Sequence, residues 1–205
     1  MMYSRIAGTG SCLPERVLTN FDLEKMMDTS DQWIRERTGI ERRHIAAKGE
    51  TTVDLAERAA RAALDAAGVR PQDVDFIAFG TTTPDMIFPN CGVLLQARLG
   101  CRGAAAFGLE TACSGFMYAL SIADKFVRLG EARRALVIGA ETLSRITDWS
   151  DRATAVLFAD GAGAVVLEPA TTPGVLSTHL HADGEYHNML YCGSGVSKGD
   201  RKSVV

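Results

Sequence analysis

The chain has 205 residues, 46% of them hydrophobic and 23% charged, with 22 Lys+Arg against 25 Asp+Glu for a net charge of −3. That is enough apolar material for a sizeable core in one domain or two small ones, and the lack of any basic run argues against a nucleic-acid partner. No apolar stretch approaches bilayer length and the first thirteen residues lack a secretory pattern, so a soluble, cytoplasmic protein with no membrane partner is expected.

In chain order, Ser4–Gly10 reads as a strand. Asn20 and Ser30 stand where they would cap short helices over Phe21–Met27 and Asp31–Arg37, and Thr29 with Gln32 has capping-box spacing. Thr51-Thr-Val-Asp54 opens a helix over Val53–Ala67, in which Val53, Ala56, Ala59, Ala60, Ala63, Leu64 and Ala67 fall on one face and Gly68 is the stop. Phe76–Phe79 reads as a buried strand ending at Gly80-Thr-Thr-Thr83. A helix over Cys91–Leu99, a strand over Ala104–Leu109, a long apolar helix over Ser114–Leu129 and a strand over Ala135–Gly139 follow. Asp160-Gly161, between Ala155–Ala159 and Ala162–Leu167, carries a hairpin signature. Gly174–His181 could begin another strand, and Gly193–Val205 is polar with no packing pattern. The alternation predicts an α/β fold with a mainly parallel five-stranded sheet covered by helices.

Five cysteines, Cys12, Cys91, Cys101, Cys113 and Cys192, follow no repeating interval. With no C-x-x-C pair and no His/Cys cluster at ligand spacing, no metal is expected, and the odd count favours reduced thiols. Cys113 differs in its setting. A strand ends at Leu109, small residues surround the thiol, and a long apolar helix begins beside it. The free N–H groups and partial positive charge of a helix start favour thiolate, the nucleophilic form. Small neighbours Ala112, Ser114 and Gly115 leave room for a substrate. A free cysteine is also among the most buried residue types, and the other four are expected to be structural.

Ala112-Cys113-Ser-Gly-Phe116 resembles the active-site motif of the β-ketoacyl-acyl-carrier-protein synthase III family. So do Thr29-Ser-Asp-Gln-Trp-Ile-Arg-Glu-Arg-Thr-Gly-Ile40 followed by Glu41-Arg-Arg-His44, Asp160-Gly-Ala-Gly-Ala164, and Leu176-Ser-Thr-His-Leu-His-Ala-Asp-Gly184. The resemblance runs from Arg5 to about Tyr191. It implies a thiolase-like fold, one half of a duplicated layered architecture. Residues 1–170 would form the half carrying the nucleophile, and 171–205 a connector and the beginning of an incomplete second half. It implies that Cys113 takes an acyl group from acyl-CoA, with its own backbone N–H as an oxyanion donor, and passes it to the carbanion left when malonyl-acyl-carrier protein loses carbon dioxide. Acyl-CoA is a substrate, and no cofactor is implied.

Thr29, Trp33, Arg37 and Arg152 match positions that contact the CoA nucleotide, where an aromatic face suits adenine and guanidinium groups suit phosphates. Without the resemblance, Trp33 would read as an indole buried by a capped helix and Arg37 as part of a solvated helix face; the resemblance favours the ligand reading of both. Phe88, Leu143 and Phe158 match positions lining the acyl pocket, though such residues fill cores by default. In relatives the loop matched by Phe88 crosses a homodimer interface, so a homodimer is implied. The family's decarboxylating His and Asn lie in the second half, and His44, His179, His181 and His187 match neither. Relatives usually carry Asp where Gly108 stands. A non-catalytic fragment of such an enzyme, or a relative giving the acyl group to another acceptor, are the alternatives. The chain alone is expected to be poorly soluble and to perform no condensation.

Overall fold

A computed structural model describes residues 2–193, 195 and 197, so most of the polar tail expected over 193–205 lies outside the described residues. The elements begin with β1 (Tyr3–Cys12), β2 (Arg16–Thr19), α1 (Asn20–Leu23), α2 (Asp31–Thr38), β3 (Arg42–Ile45) and α3 (Thr52–Ala67). They continue with β4 (Phe76–Gly80), α4 (Cys91–Leu99), β5 (Ala105–Leu109), α5 (Gly115–Leu129), β6 (Ala135–Thr142), α6 (Arg152–Ala155) and β7 (Asp160–Ala170). The chain divides into two compact units. The first is made of the residues up to Leu13, Lys48–Glu141 and Gly161–Leu180; the second is made of Pro14–Ala47, Thr142–Asp160 and the segment from His181. No helix of the described residues is long and apolar enough to cross a membrane.

The first unit holds the expected five-stranded sheet, in the order β1-β7-β6-β4-β5. Strand β4 runs parallel to both β5 and β6, and β1 pairs antiparallel with β7. Alternation along β4 sends Ile77 and Phe79 into a core with α3 and α4, and Phe76 and Ala78 into a core with α5. Helix α3 starts at a reciprocal box in which Thr51 caps Asp54 N and Asp54 accepts from Thr51 N (2.7 Å), and it ends at Gly68 in the left-handed conformation. Its alanine face lies directly on β1. A Cβ at Gly10 would fall 2.2 Å from Ala59 O, and one at Gly8 would fall 2.4 Å from Ala63 O.

Several local expectations are corrected. The hairpin at Asp160-Gly161 does not form. Instead α6 precedes it, and both residues lie inside β7, which pairs with β1 from Tyr3↔Ala170 to Cys12↔Ala162. The Asp160 carboxylate, which a turn would have used locally, accepts from Ala46 N (2.7 Å), Ser144 N (2.8 Å) and Ser144 Oγ (2.5 Å). Residues 174–181 form no strand among the described residues, although Val175 N donates to Ser4 O at 2.9 Å. The cap of α1 is Thr19, not Asn20, because Asp22 three residues on reciprocates the bond, and the helix ends at Leu23. Asn20 is buried and donates to Asp31 Oδ1 and Ile40 O, both at 2.8 Å. Ser30 caps α2 as expected, accepting from Trp33 N at 3.1 Å. Gln32 donates to Glu36, so no capping box forms with Thr29.

The second unit contains a ladder the sequence did not suggest, β2 with β3, in antiparallel register from Arg16↔Ile45 to Thr19↔Arg42. Leu18, Leu23, Ile34, Ile45 and Val156 form its core, with Trp33 and Trp149 packed against it. Arg43 is only 2% exposed. It donates to Val156 O through Nε (3.0 Å) and Nη2 (2.5 Å) and to Asn20 Oδ1 through Nη1 (2.7 Å), and burial lowers its affinity for the proton.

Candidate active site

In the first unit, β4, β6 and the start of α5 meet at three glycines, Gly80, Gly139 and Gly115, and at Phe116. A Cβ at Gly80 would lie 2.6 Å from Gly115 C, and one at Gly139 would lie 3.0 Å from Phe116 Cβ, so glycine on both strands lets the first turn of α5 rest on the sheet. Before that turn, β5 ends at Leu109 and a 3₁₀ turn spans Ala112–Ser114, closed by Ser114 N to Thr111 O (3.1 Å). Ala112 has φ +46°, a left-handed conformation that is costly for a residue with a Cβ. This sharp reversal from strand to helix leaves Cys113 exposed at its apex.

The other thiols sit differently. Cys91 and Cys101 are 1% and 0% exposed, and burial pushes both thiols up to about 11. Cys12 is half-buried and Cys192 is exposed, so exposure alone leaves two candidates, of which only Cys113 lies at a strained turn before a helix. Since a thiol raised to about 11 stays protonated well above neutrality, iodoacetamide at pH 8 should leave Cys91 and Cys101 unmodified in the native chain. Both should react after denaturation, as peptide mapping would record. Native labelling of either at the rate of Cys113 would contradict this.

Beside the turn is a cavity of about 300 Å³ lined by residues of the β4–α4 loop, Asn90, Cys91, Gly108 and Leu109 of β5, and Glu110 just after it. Asn90 caps α4, accepting from Val93 N at 3.2 Å. A Cβ at Gly108 would make only an ordinary contact, 3.4 Å from Asn90 Cβ, so the backbone there does not itself require glycine. Sequence reasoning missed a second feature of these strand ends. Glu141, half-buried at the end of β6, accepts from Thr82 N (2.8 Å), Thr82 Oγ1 (3.1 Å), Thr81 Oγ1 (3.3 Å) and Thr83 Oγ1 (2.5 Å). Neither the three threonines nor a lone glutamate at a strand end carries a pattern that would have linked them.

The second unit brings together three of the four residues matched to nucleotide binding. The Arg37 guanidinium lies 4.5 Å from the centre of the Trp33 ring, and that of Arg152 lies 5.0 Å from it. Trp33 and Arg37 share α2 one turn apart. Arg152 opens α6 behind its cap Asp151, and its Nη1 donates to Asp28 O at 2.7 Å. Thr29, next to Asp28, has a buried hydroxyl oxygen with no partner among the described residues. Of the three residues matched to the acyl pocket, Leu143 and Phe158 are half-buried in the second unit, and Asp160 pins the turn after Leu143 through Ser144. Phe88, in the β4–α4 loop of the first unit, is 83% exposed. His44 is structural, its Nδ1 lying 2.6 Å from Pro14 O. No group of three or more His, Cys, Asp or Glu that could hold a metal occurs among the described residues.

A parallel sheet core, a helix seated on glycines and a cysteine at the strand-to-helix reversal define a thiolase-like fold. A profile described as 3-oxoacyl-[acyl-carrier-protein] synthase III matches residues 107–184. The β-ketoacyl-[acyl-carrier-protein] synthase III of Thioalkalivibrio sulfidiphilus is 60% identical over 197 residues, 96% of this chain and 61% of the relative. The protein of the same name from Xanthomonas campestris is 62% identical over 198 residues, 97% of this chain and 61% of the relative. Among solved structures, 3-oxoacyl-[acyl-carrier-protein] synthase III of Aquifex aeolicus superposes with a TM-score of 0.90 at 49% identity, covering 93% of this chain and 62% of that one. The priming β-ketosynthase of the R1128 polyketide pathway superposes with a TM-score of 0.92 at 36% identity, covering 96% and 59%. The chain is similar to 3-oxoacyl-[acyl-carrier-protein] synthase III proteins over nearly all of its own length, and it spans about three fifths of the length of these relatives.

Proposed function

We propose that this chain supplies the acyl-accepting part of a β-ketoacyl-acyl-carrier-protein synthase III of fatty acid biosynthesis, acting in the cytoplasm. Residues 1–170 carry the nucleophile, and 171–205 lead towards a second half. The Cys113 sulfur attacks the carbonyl carbon of an acyl-CoA, and the bond from that carbon to the CoA sulfur breaks. The proton from Cys113 ends on the departing CoA thiol, leaving an acyl thioester on the chain. Malonyl-acyl-carrier protein then loses carbon dioxide, and its carbanion attacks the thioester. β-Ketoacyl-carrier protein forms and the Cys113 thiolate is released. The decarboxylating His and Asn of the family belong to the second half, and a homodimer completes the acyl pocket with Phe88 from one copy and Leu143 and Phe158 from the other. The observation that carries the reading is the exposure of Cys113 behind a left-handed Ala112, on the turn before a helix seated against Gly80.

For the nucleotide, adenine stacks on Trp33 in place of one of the two guanidinium groups now facing that ring, which is then free to meet phosphate. With acetyl-CoA alone, the chain should release one equivalent of free CoA and stop, as a thiol-reactive dye would record. Trp33→Ala, or Arg37→Ala with Arg152→Ala, should raise the half-saturating concentration by about tenfold, the loss of roughly 1–2 kcal/mol of stacking and charge contacts, without changing the plateau. Continuous release without malonyl-acyl-carrier protein would replace this reading with transfer to water. An unchanged half-saturating concentration in both variants would remove the nucleotide assignment.

A further inference from the structure

We propose that Glu141 is a positioning residue for Cys113, acting through the threonines at the end of β4; this rests on the reading of Cys113 as the acylated nucleophile. One carboxylate takes four hydrogen bonds from three consecutive residues, Thr81, Thr82 and Thr83, and so locks the end of β6 to the end of β4. The far side of this clamp is itself anchored to α3, because Thr83 O accepts from Thr52 Oγ1 (2.6 Å) and Asp85 Oδ1 accepts from Val53 N (3.1 Å).

What makes the clamp more than a stabilising contact is what it adjoins. The first turn of α5 has two supports, Gly80 beneath Gly115 and Gly139 beneath Phe116. Gly80 immediately precedes the threonines, and Gly139 lies two residues before Glu141. Both supports are therefore fixed by the residues the carboxylate joins, and Cys113 stands two residues before Gly115 on the turn they hold. If the strand ends separate, Gly80 and Gly139 move apart, and the thiol loses the position the strained turn gives it.

The test is the second-order rate of iodoacetamide at Cys113, read by peptide mapping against Cys192 in the same sample. It needs no acyl-CoA. Glu141→Ala and Thr83→Val should slow Cys113 by about tenfold or more, since sub-ångström to 1 Å displacement of a reacting atom has effects of this size, with Cys192 unchanged. Thr83→Ser, which keeps the hydroxyl, should restore the original rate. Ser4→Ala provides the structural control. It removes a buried bond to Asp124 (2.6 Å) and should lower the melting temperature while leaving Cys113 as reactive as before. A folded Glu141→Ala or Thr83→Val chain with an undiminished Cys113 rate would overturn the proposal, as would equal slowing in Ser4→Ala. Should Glu141→Ala not fold, Thr83→Val against Thr83→Ser decides. A wild-type Cys113 that alkylates readily yet accepts no acetyl group counts against the acyl-CoA reading and leaves the positioning role standing.

Discussion

Gly80→Ala should cost on the order of 1–3 kcal/mol of stability and slow acylation of Cys113 by about a hundredfold. The added carbon would fall 2.6 Å from Gly115 C, 2.8 Å from Gly115 O and 2.9 Å from Gly115 Cα. All three neighbours are backbone, so no side chain can swing aside, and relief comes only from lifting the first turn of α5 off the sheet. Cys113 moves with that turn. Gly8→Ala separates the two effects. Its added carbon meets Ala63 O at 2.4 Å and Ala67 N at 2.5 Å, so it strains the packing of α3 on β1, which lies on the opposite face of the sheet from α5. It should destabilise the chain comparably but leave the acylation rate intact at temperatures where the chain remains folded. Denaturant titration with acetylation kinetics on both variants checks this. Gly80→Ala retaining both stability and rate would show that α5 does not bear on β4 as described.

How far these features could be read in advance depends on how local their causes are. Helix α3 was legible because its capping box and its alanine stripe are both encoded within the segment, and Cys91–Leu99 was legible from its composition and from Gly100 at its end, whereas its cap, Asn90, was not read. The β2–β3 ladder was not legible. Each strand has four residues, and the pairing joins Arg16 to Ile45 across two intervening helices; Arg16, Arg42 and Arg43 also blur the apolar alternation. Asp160-Gly161 shows a local signal overruled by tertiary structure. The dipeptide favours a turn, but pairing of β7 with β1 and three hydrogen bonds to the Asp160 carboxylate hold it extended.

The site shows the same division. Cys113 stood out because a strand end, small residues and a helix start are contiguous in sequence. Trp33 and Arg37 share a helix face four residues apart and Arg152 reaches the same ring from a distant segment; all three were identified only through the resemblance. The left-handed Ala112 had no sequence signal, since alanine is not a residue that ordinarily marks such a backbone. Glu141 and its threonines were invisible for a related reason: their partnership exists only once β4 and β6 lie side by side.

The second large effect concerns the thiol itself. Cys113→Ser should eliminate acetyl transfer, because an alcohol is a far weaker nucleophile than a thiolate. The fold should be retained, as the side chain is exposed and packs no core.

Mass spectrometry of the native chain after incubation with acetyl-CoA, followed by peptide mapping, addresses the central claim most directly. One acetyl group is expected, on the peptide containing Cys113, and none in Cys113→Ser. An acetyl group on Cys12, Cys91 or Cys192, with Cys113 unmodified, would contradict it.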